Sequence, residues 1–199
     1  MRVLYLFILL LFSNILVCAQ STQVAKKNGF DSVVNVLKVK RKITDEYLNK
    51  NGKSLMLYSK IPDREMPIRV LNEKWPDDGG ISYNILTDTK GKIIMIAEIP
   101  FSESGDWYIA YTHYFDSEGN TYAFRREANI FDKSVKGGVI YEISLRYYDK
   151  SFKLLSQGRT LKDGKGKSIK NDGHIDAYNY KYNIYRNITD CLKAYNIKL

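Results

Sequence analysis

Two tetrapeptides, Asp88-Thr89-Lys90-Gly91 and Asp116-Ser117-Glu118-Gly119, stand between segments rich in apolar and aromatic residues. This pairing constrains the fold more than any other feature of the chain. Aspartate at the first position of a type I turn accepts a hydrogen bond from the backbone N–H two residues on. Glycine at the fourth takes the left-handed conformation that returns the chain into register. A calcium loop would need further oxygen ligands at alternating positions, and Lys90 stands where an acid would help. The repeat therefore reads as the reversals of two β-hairpins in one meander. Tyr148-Asp149-Lys150-Ser151 is a third candidate reversal, without the glycine.

The flanks agree. Ile81, Tyr83 and Ile85 alternate with Ser82 and Asn84, and Val139, Tyr141, Ile143, Leu145 and Tyr147 alternate with Glu142, Ser144 and Arg146. In residues 176–186, Tyr178, Tyr180, Tyr182 and Ile184 oppose Asn179, Lys181 and Asn183. Such period-two alternation predicts strands with one buried face. KIIMIAEI (residues 92–99) is apolar on both faces, as a central strand is, and WYIAYTHYF (residues 107–115) is similarly rich. SLMLYSKI (54–61), PIRVL (67–71) and FKLLSQGRT (152–160) also read as strands. SVVNVLKV (32–39) fits a helix or a strand, and its valines favour the strand. TDEYLNKN (44–51) reads as a short helix capped by Thr44 and stopped by Gly52. Asn187 or Thr189 can cap a last helix whose stripe is Ile188, Cys191, Leu192 and Tyr195. KDGKGKSIKNDG (162–173) reads as a long flexible loop. The expected fold is mainly β. It is an antiparallel meander of about eight to ten strands, a sandwich or partly open barrel, with short helices at the two ends.

At the N-terminus, Arg2, the apolar run at residues 3–12 and Val17-Cys18-Ala19 have the organisation of a secretory signal peptide, cut after Ala19. On that reading residues 20–199 form a single β-rich domain, exported to the periplasm or the outside. An uncleaved anchor and a lipid tether at Cys18 are the competing readings. The anchor is disfavoured because the run is short for a bilayer and is interrupted by Ser13 and Asn14. Without Cys18, Cys191 is the sole cysteine, so no disulfide framework is expected within the chain.

The net charge of +9 suggests nucleic acid, but the lysines and arginines are dispersed and the densest run, KVKRK (38–42), is short. Such an excess more often serves solubility and attraction to anionic surfaces. A glycan, a lipid or an envelope protein is the expected partner, and nucleic acid is not.

No assembled catalytic set is visible. There is no G-x-S-x-G elbow, and GKGK (164–167) lacks the strand and helix of a phosphate loop. His113 shares a strand face with Trp107, Ile109, Tyr111 and Phe115, which suits a packed histidine better than a base. His174 is flanked by Asp172 and Asp176, a weak metal constellation without a second cluster. Asp77 and Asp78 would have to meet another carboxylate to cleave a glycosidic bond. Cys191 on an apolar stripe reads as a small core side chain. No cofactor and no metal are expected.

Aromatic residues remain. Trp107, Tyr111, His113, Tyr178, Tyr180 and Tyr182 are the candidate ligand-binding residues, because aromatic rings stack on sugars and line apolar cavities. SGDWYIAY (104–111) resembles the Gly-x-Trp signature of lipocalins through Gly105 and Trp107. In that family the motif opens the first barrel strand. Here it falls mid-chain, with too little sequence behind it for eight strands, and the resemblance extends no further than these residues. The expected function is that of an exported, non-enzymatic binding or interaction protein on an antiparallel scaffold. A carrier of an apolar or lipid ligand in a β-barrel-like cavity is the alternative, and an envelope-glycan hydrolase is the third reading.

Overall fold

The computed structural model describes residues 31–170 and 181–199. Residues 1–19, read above as a signal peptide, and Cys18, His174, Tyr178 and Tyr180 lie outside these residues. The chain divides into two compact units, one ending at Val39 and one running from Lys40 to Leu199. The described part of the first, 31–39, is helical, so SVVNVLKV is not the strand its valines suggest. The helix, α1, is continuous over 31–51. Val34, Leu37, Arg41, Thr44 and Leu48 recur three or four apart, the spacing of one helical face. Valine's helix penalty, at most about 0.7 kcal/mol per residue, is too small to override such a pattern. Thr44 is therefore not a cap. It sits mid-helix, its hydroxyl 3.2 Å from the Lys40 carbonyl oxygen that accepts from it. Gly52 does mark the helix end, where a short 3-10 turn, Gly52–Ser54, follows.

In the second unit eight strands form one antiparallel sheet: β1 (Met56–Lys60), β2 (Ile68–Val70), β3 (Ile81–Thr87), β4 (Ile93–Pro100), β5 (Trp107–Phe115), β6 (Thr121–Phe131), β7 (Val139–Tyr148) and β8 (Leu154–Asp163). The order is β2-β1-β3-β4-β5-β6-β7-β8, a meander from β3 onward. β2 and β8 are its edges, so the sheet is open rather than closed into a barrel. A helix α2 (Ile188–Ala194) follows, and the Asn187 side chain caps it by accepting from the Asp190 N–H at 2.8 Å. No helix among the described residues is long and apolar enough to cross a membrane.

The reversals are built as the tetrapeptides predict. Asp88 Oδ1 accepts from the Lys90 and Lys92 N–H groups at 2.9 Å, and Gly91 has φ 78°. Asp116 Oδ1 accepts from Glu118 and Asn120 at 2.8 and 2.9 Å, with Gly119 at φ 85°. The device recurs at Asp149, where Ser151 and Lys153 donate at 2.9 Å. There Phe152 adopts φ 66° without being glycine, and its ring stacks on Tyr148 at 4.6 Å. That contact offsets a left-handed penalty of about 1–2 kcal/mol. A fourth copy at Asp163, with Lys165 and Lys167 donating at 3.0 and 2.9 Å, terminates β8.

Each sheet face has its own cover. The inner face carries Tyr83, Ile85, Ile96, Ile109, Tyr111, His113, Phe124 and Ile140, and the C-terminal segment lies on it. Residues 181–185 are not the strand that the tyrosine alternation suggests, and 176–180 lie outside the described residues. The segment packs down on the sheet: Tyr182 stacks on Tyr111 at 4.7 Å and on Phe124 at 5.5 Å. Tyr195, just past α2, meets Tyr83 at 4.6 Å, and Cys191 is fully buried beneath the helix. Fully buried aliphatic side chains such as Ile85, Ile96 and Ile109 each contribute roughly 1.5–3 kcal/mol.

Within the second unit, the Lys40–Asn51 part of α1 meets the outer face. Arg41 Nε donates to the Tyr147 hydroxyl at 3.1 Å, and the Tyr114 hydroxyl donates to Asp45 at 2.7 Å. The Lys40 ammonium sits 4.2 Å from the Tyr122 ring centroid. These contacts lie at the end where the Asp116 hairpin turns.

Candidate functional site

The sequence-predicted binding residues divide. Tyr111 and His113 are 1% and 0% exposed, and Trp107 is half-buried against the inner cluster. Tyr182 covers Tyr111 and Phe124. As placed, these rings meet each other. Tyr178 and Tyr180 lie outside the described residues.

His113 is held in a defined way. Its Nε2 accepts the Tyr185 backbone N–H at 3.0 Å, and Nδ1 has no partner among the described residues. Burial pushes its pKa down to about 3, so the ring is neutral at physiological pH. Burial likewise pushes the Cys191 thiol up, away from the reactive thiolate form. Asp77 and Asp78 are both exposed in the β2–β3 connection. Among the described residues no three His, Cys, Asp or Glu side chains gather to hold a metal.

β7 carries the largest departure from expectation. Its alternation is real, but at its first half the polar side is the buried one. Glu142 is 3% exposed on the inner face, paired with Arg126 at 2.5 Å and Arg159 at 3.1 Å. Burial opposes the Arg126 charge, and the hydrogen bond and charge of Glu142 outweigh it, so the guanidinium pKa is raised. Tyr141 and Ile143, expected to be core, are 43% and 41% exposed on the outer face.

They belong to an open area at the end of the outer face away from the α1 contacts. Tyr108 pairs with Asn129, Asn129 with Tyr141, and Tyr141 with Lys162, one residue from each of β5, β6, β7 and β8. This cross-strand row presents two tyrosines with an amide between them and an ammonium at the end. Neighbouring strands are about 4.8 Å apart, which puts the two tyrosines about 10 Å apart along the row. Tyr108 is 40% exposed, and Phe131, at the end of β6, is 63% exposed. Burial, then the nearby Glu127 carboxylate, raises the Tyr108 pKa, so its hydroxyl stays protonated and able to donate.

The loop beside the row is fixed by glycine. Gly164 N–H donates to the Lys136 carbonyl at 3.1 Å, and Gly137 approaches so closely that a Cβ on it would lie 2.9 Å from Gly164 Cα. This close approach joins the β6–β7 turn to the turn after β8. It gathers Lys133, Lys136, Lys165 and Lys167, all exposed, next to Lys162. The two acids in these turns are engaged with backbone: Asp132 Oδ1 accepts from Ser134 at 2.8 Å, and Asp163 is buried in its own turn. Glu103 and Asp106 lie in the β4–β5 connection, at the β5 side of the row.

Comparison with protein-family models, curated proteins and solved structures finds no match. No family is therefore assigned, and the reading of this surface rests on its chemistry. Sequence reasoning missed Tyr108, Asn129, Tyr141 and Lys162 as a group because only the register brings them into one line. The one local signal, the polar residues Glu142, Ser144 and Arg146 at every second position of β7, pointed to the wrong face.

Proposed function

We propose that the protein is a non-catalytic binding protein whose contact surface is the open end of the outer sheet face, centred on Tyr108 and Tyr141. The supporting observation is the exposure of these rings beside Phe131 and Ile143 on the outer face, while the neighbouring Glu142 is buried on the opposite face. Contiguous exposed aromatic and aliphatic groups rimmed by polar ones mark interaction surfaces. Export by the N-terminal segment remains part of this proposal. The scaffold is antiparallel, and its ladders fix the register of the row. The carrier reading ranks lower because the rings on the inner face stack on one another instead of lining a space.

Site-specific photo-crosslinking tests the proposal. A benzoylphenylalanine at position 141, in cells that make the protein, should yield adducts that one at position 90 does not. Position 90 is an exposed hairpin residue at the opposite end of the sheet. Equal adduct patterns at the two positions, or none at 141, would remove the outer face as the contact surface.

A further inference from the structure

We infer that the outer-face row binds an acidic polysaccharide; this rests on reading that face as the contact surface. Three features of the row point the same way. First, the rings of Tyr108 and Tyr141 stand on one sheet face two strands apart, about 10 Å from each other. That is close to the pitch of alternate sugar rings in an extended β-linked chain, so two rings of the same polymer strand can stack at once. Second, Asn129 stands between them, with a donor and an acceptor for the hydroxyls of the intervening sugar. Third, charge is distributed along the row. Lys162 ends it, and Lys136, Lys165 and Lys167 are held beside it by the Gly137–Gly164 contact. Their neighbouring aspartates are occupied in turns.

The occupant is therefore a chain of sugar rings carrying carboxylate or sulfate groups. Its rings lie over the tyrosines and its anionic groups run towards β8. Glu103 and Asp106 at the β5 side set the direction, because they repel the same groups there. An anionic bilayer fits less well. Insertion calls for large apolar side chains at the loop tips among the lysines. Here the tips hold Gly137, Gly164 and Gly166, and Val135 packs inward against the core.

The test is binding of the purified protein to immobilised polymannuronate, a β-linked uronate polymer, with hydroxyethyl cellulose, phosphatidylglycerol vesicles and a single-stranded oligonucleotide as comparison probes. Polymannuronate should be retained and the neutral hydroxyethyl cellulose should not. Tyr141→Ala should weaken retention about tenfold, since stacking against a ring contributes on the order of 1 kcal/mol or more. Lys162→Glu should weaken it several-fold and flatten its salt dependence. Lys90→Glu makes the same charge change at the far end of the sheet and should leave it unchanged. Circular dichroism of each variant separates lost binding from lost folding. Preferential binding of vesicles or oligonucleotide that Tyr141→Ala abolishes would overturn the ligand class and leave the surface standing. Polymannuronate binding that neither Tyr141→Ala nor Lys162→Glu affects would overturn both. Absence of binding to polymannuronate by a folded protein would overturn the ligand class.

Discussion

His113 offers a quantitative check on how the inner face is packed. The ring is fully buried, accepts the Tyr185 N–H through Nε2, and has a pKa lowered by burial from 6.5 to about 3. In the unfolded chain the ring titrates at its ordinary value, near 6.5. Between these two values the unfolded state binds a proton that the folded state does not, so stability rises with pH across that window. The stability associated with the neutral ring is fully present above about pH 6.5. It falls by about 1.4 kcal/mol per unit as pH drops towards 3. From pH 6.5 to 4.5 the loss is about 2 kcal/mol, because the unfolded ring is only half protonated at 6.5. His113→Gln removes the titration and keeps an oxygen near the Nε2 position to accept from Tyr185. Urea unfolding of both proteins at pH 7.5, 6.5, 5.5 and 4.5 isolates the effect, because all other titrating groups are shared. The stability difference between them should shift by about 2 kcal/mol in favour of the variant between pH 6.5 and 4.5. Parallel profiles would mean that the folded protein accommodates the imidazolium, and the described packing around His113 would be wrong.

Three further outcomes follow from named contacts, each read by urea or thermal unfolding. Asp116→Ala removes the acceptor for two backbone N–H groups and should cost about 1–2 kcal/mol, while Asp116→Asn, which keeps an oxygen there, should cost less. An alanine variant as stable as the parent would show that the carboxylate does not build the turn. Glu142→Gln leaves two guanidiniums against a neutral amide and should cost about 3–5 kcal/mol, where a loss below about 1 kcal/mol would mean the site is open to water. Gly137→Ala forces a Cβ against the Gly164 backbone at φ 86° and should cost about 1–3 kcal/mol; an unchanged melting temperature would show that the two loops are not in contact.

Much of the sheet is legible in the chain because its signals are local. Asp88 and Asp116 specify reversals through hydrogen bonds that span four residues, and the alternation around Tyr83 and the apolar richness of both faces around Tyr111 specify strands. Asp149 was legible despite lacking glycine, and Phe152 shows how a ring contact replaces one. Two other elements depend on partners distant in sequence. The valines of 32–39 favour strands only weakly, and a helical face spaced from Val34 to Leu48 decides the outcome. The tyrosines near the C-terminus alternate as a strand would, yet the Tyr185 N–H is taken by His113 and the Arg186 carbonyl by Thr121, so the segment is drawn onto the sheet face. The candidate surface is the least legible part. Tyr141 faces outward because Glu142, its neighbour, is neutralised by Arg126 and Arg159 from the two flanking strands. No window of sequence contains all three.

The decisive measurement is a backbone-amide NMR titration of the folded protein with a polymannuronate oligomer. If the open sheet face is where this molecule meets its partner, the shifts will concentrate on residues 108, 129, 141 and 162 and on the lysine-bearing turns. Shifts centred instead on the C-terminal segment around Tyr182 and Tyr185, or on the hairpin at Asp88, would contradict it.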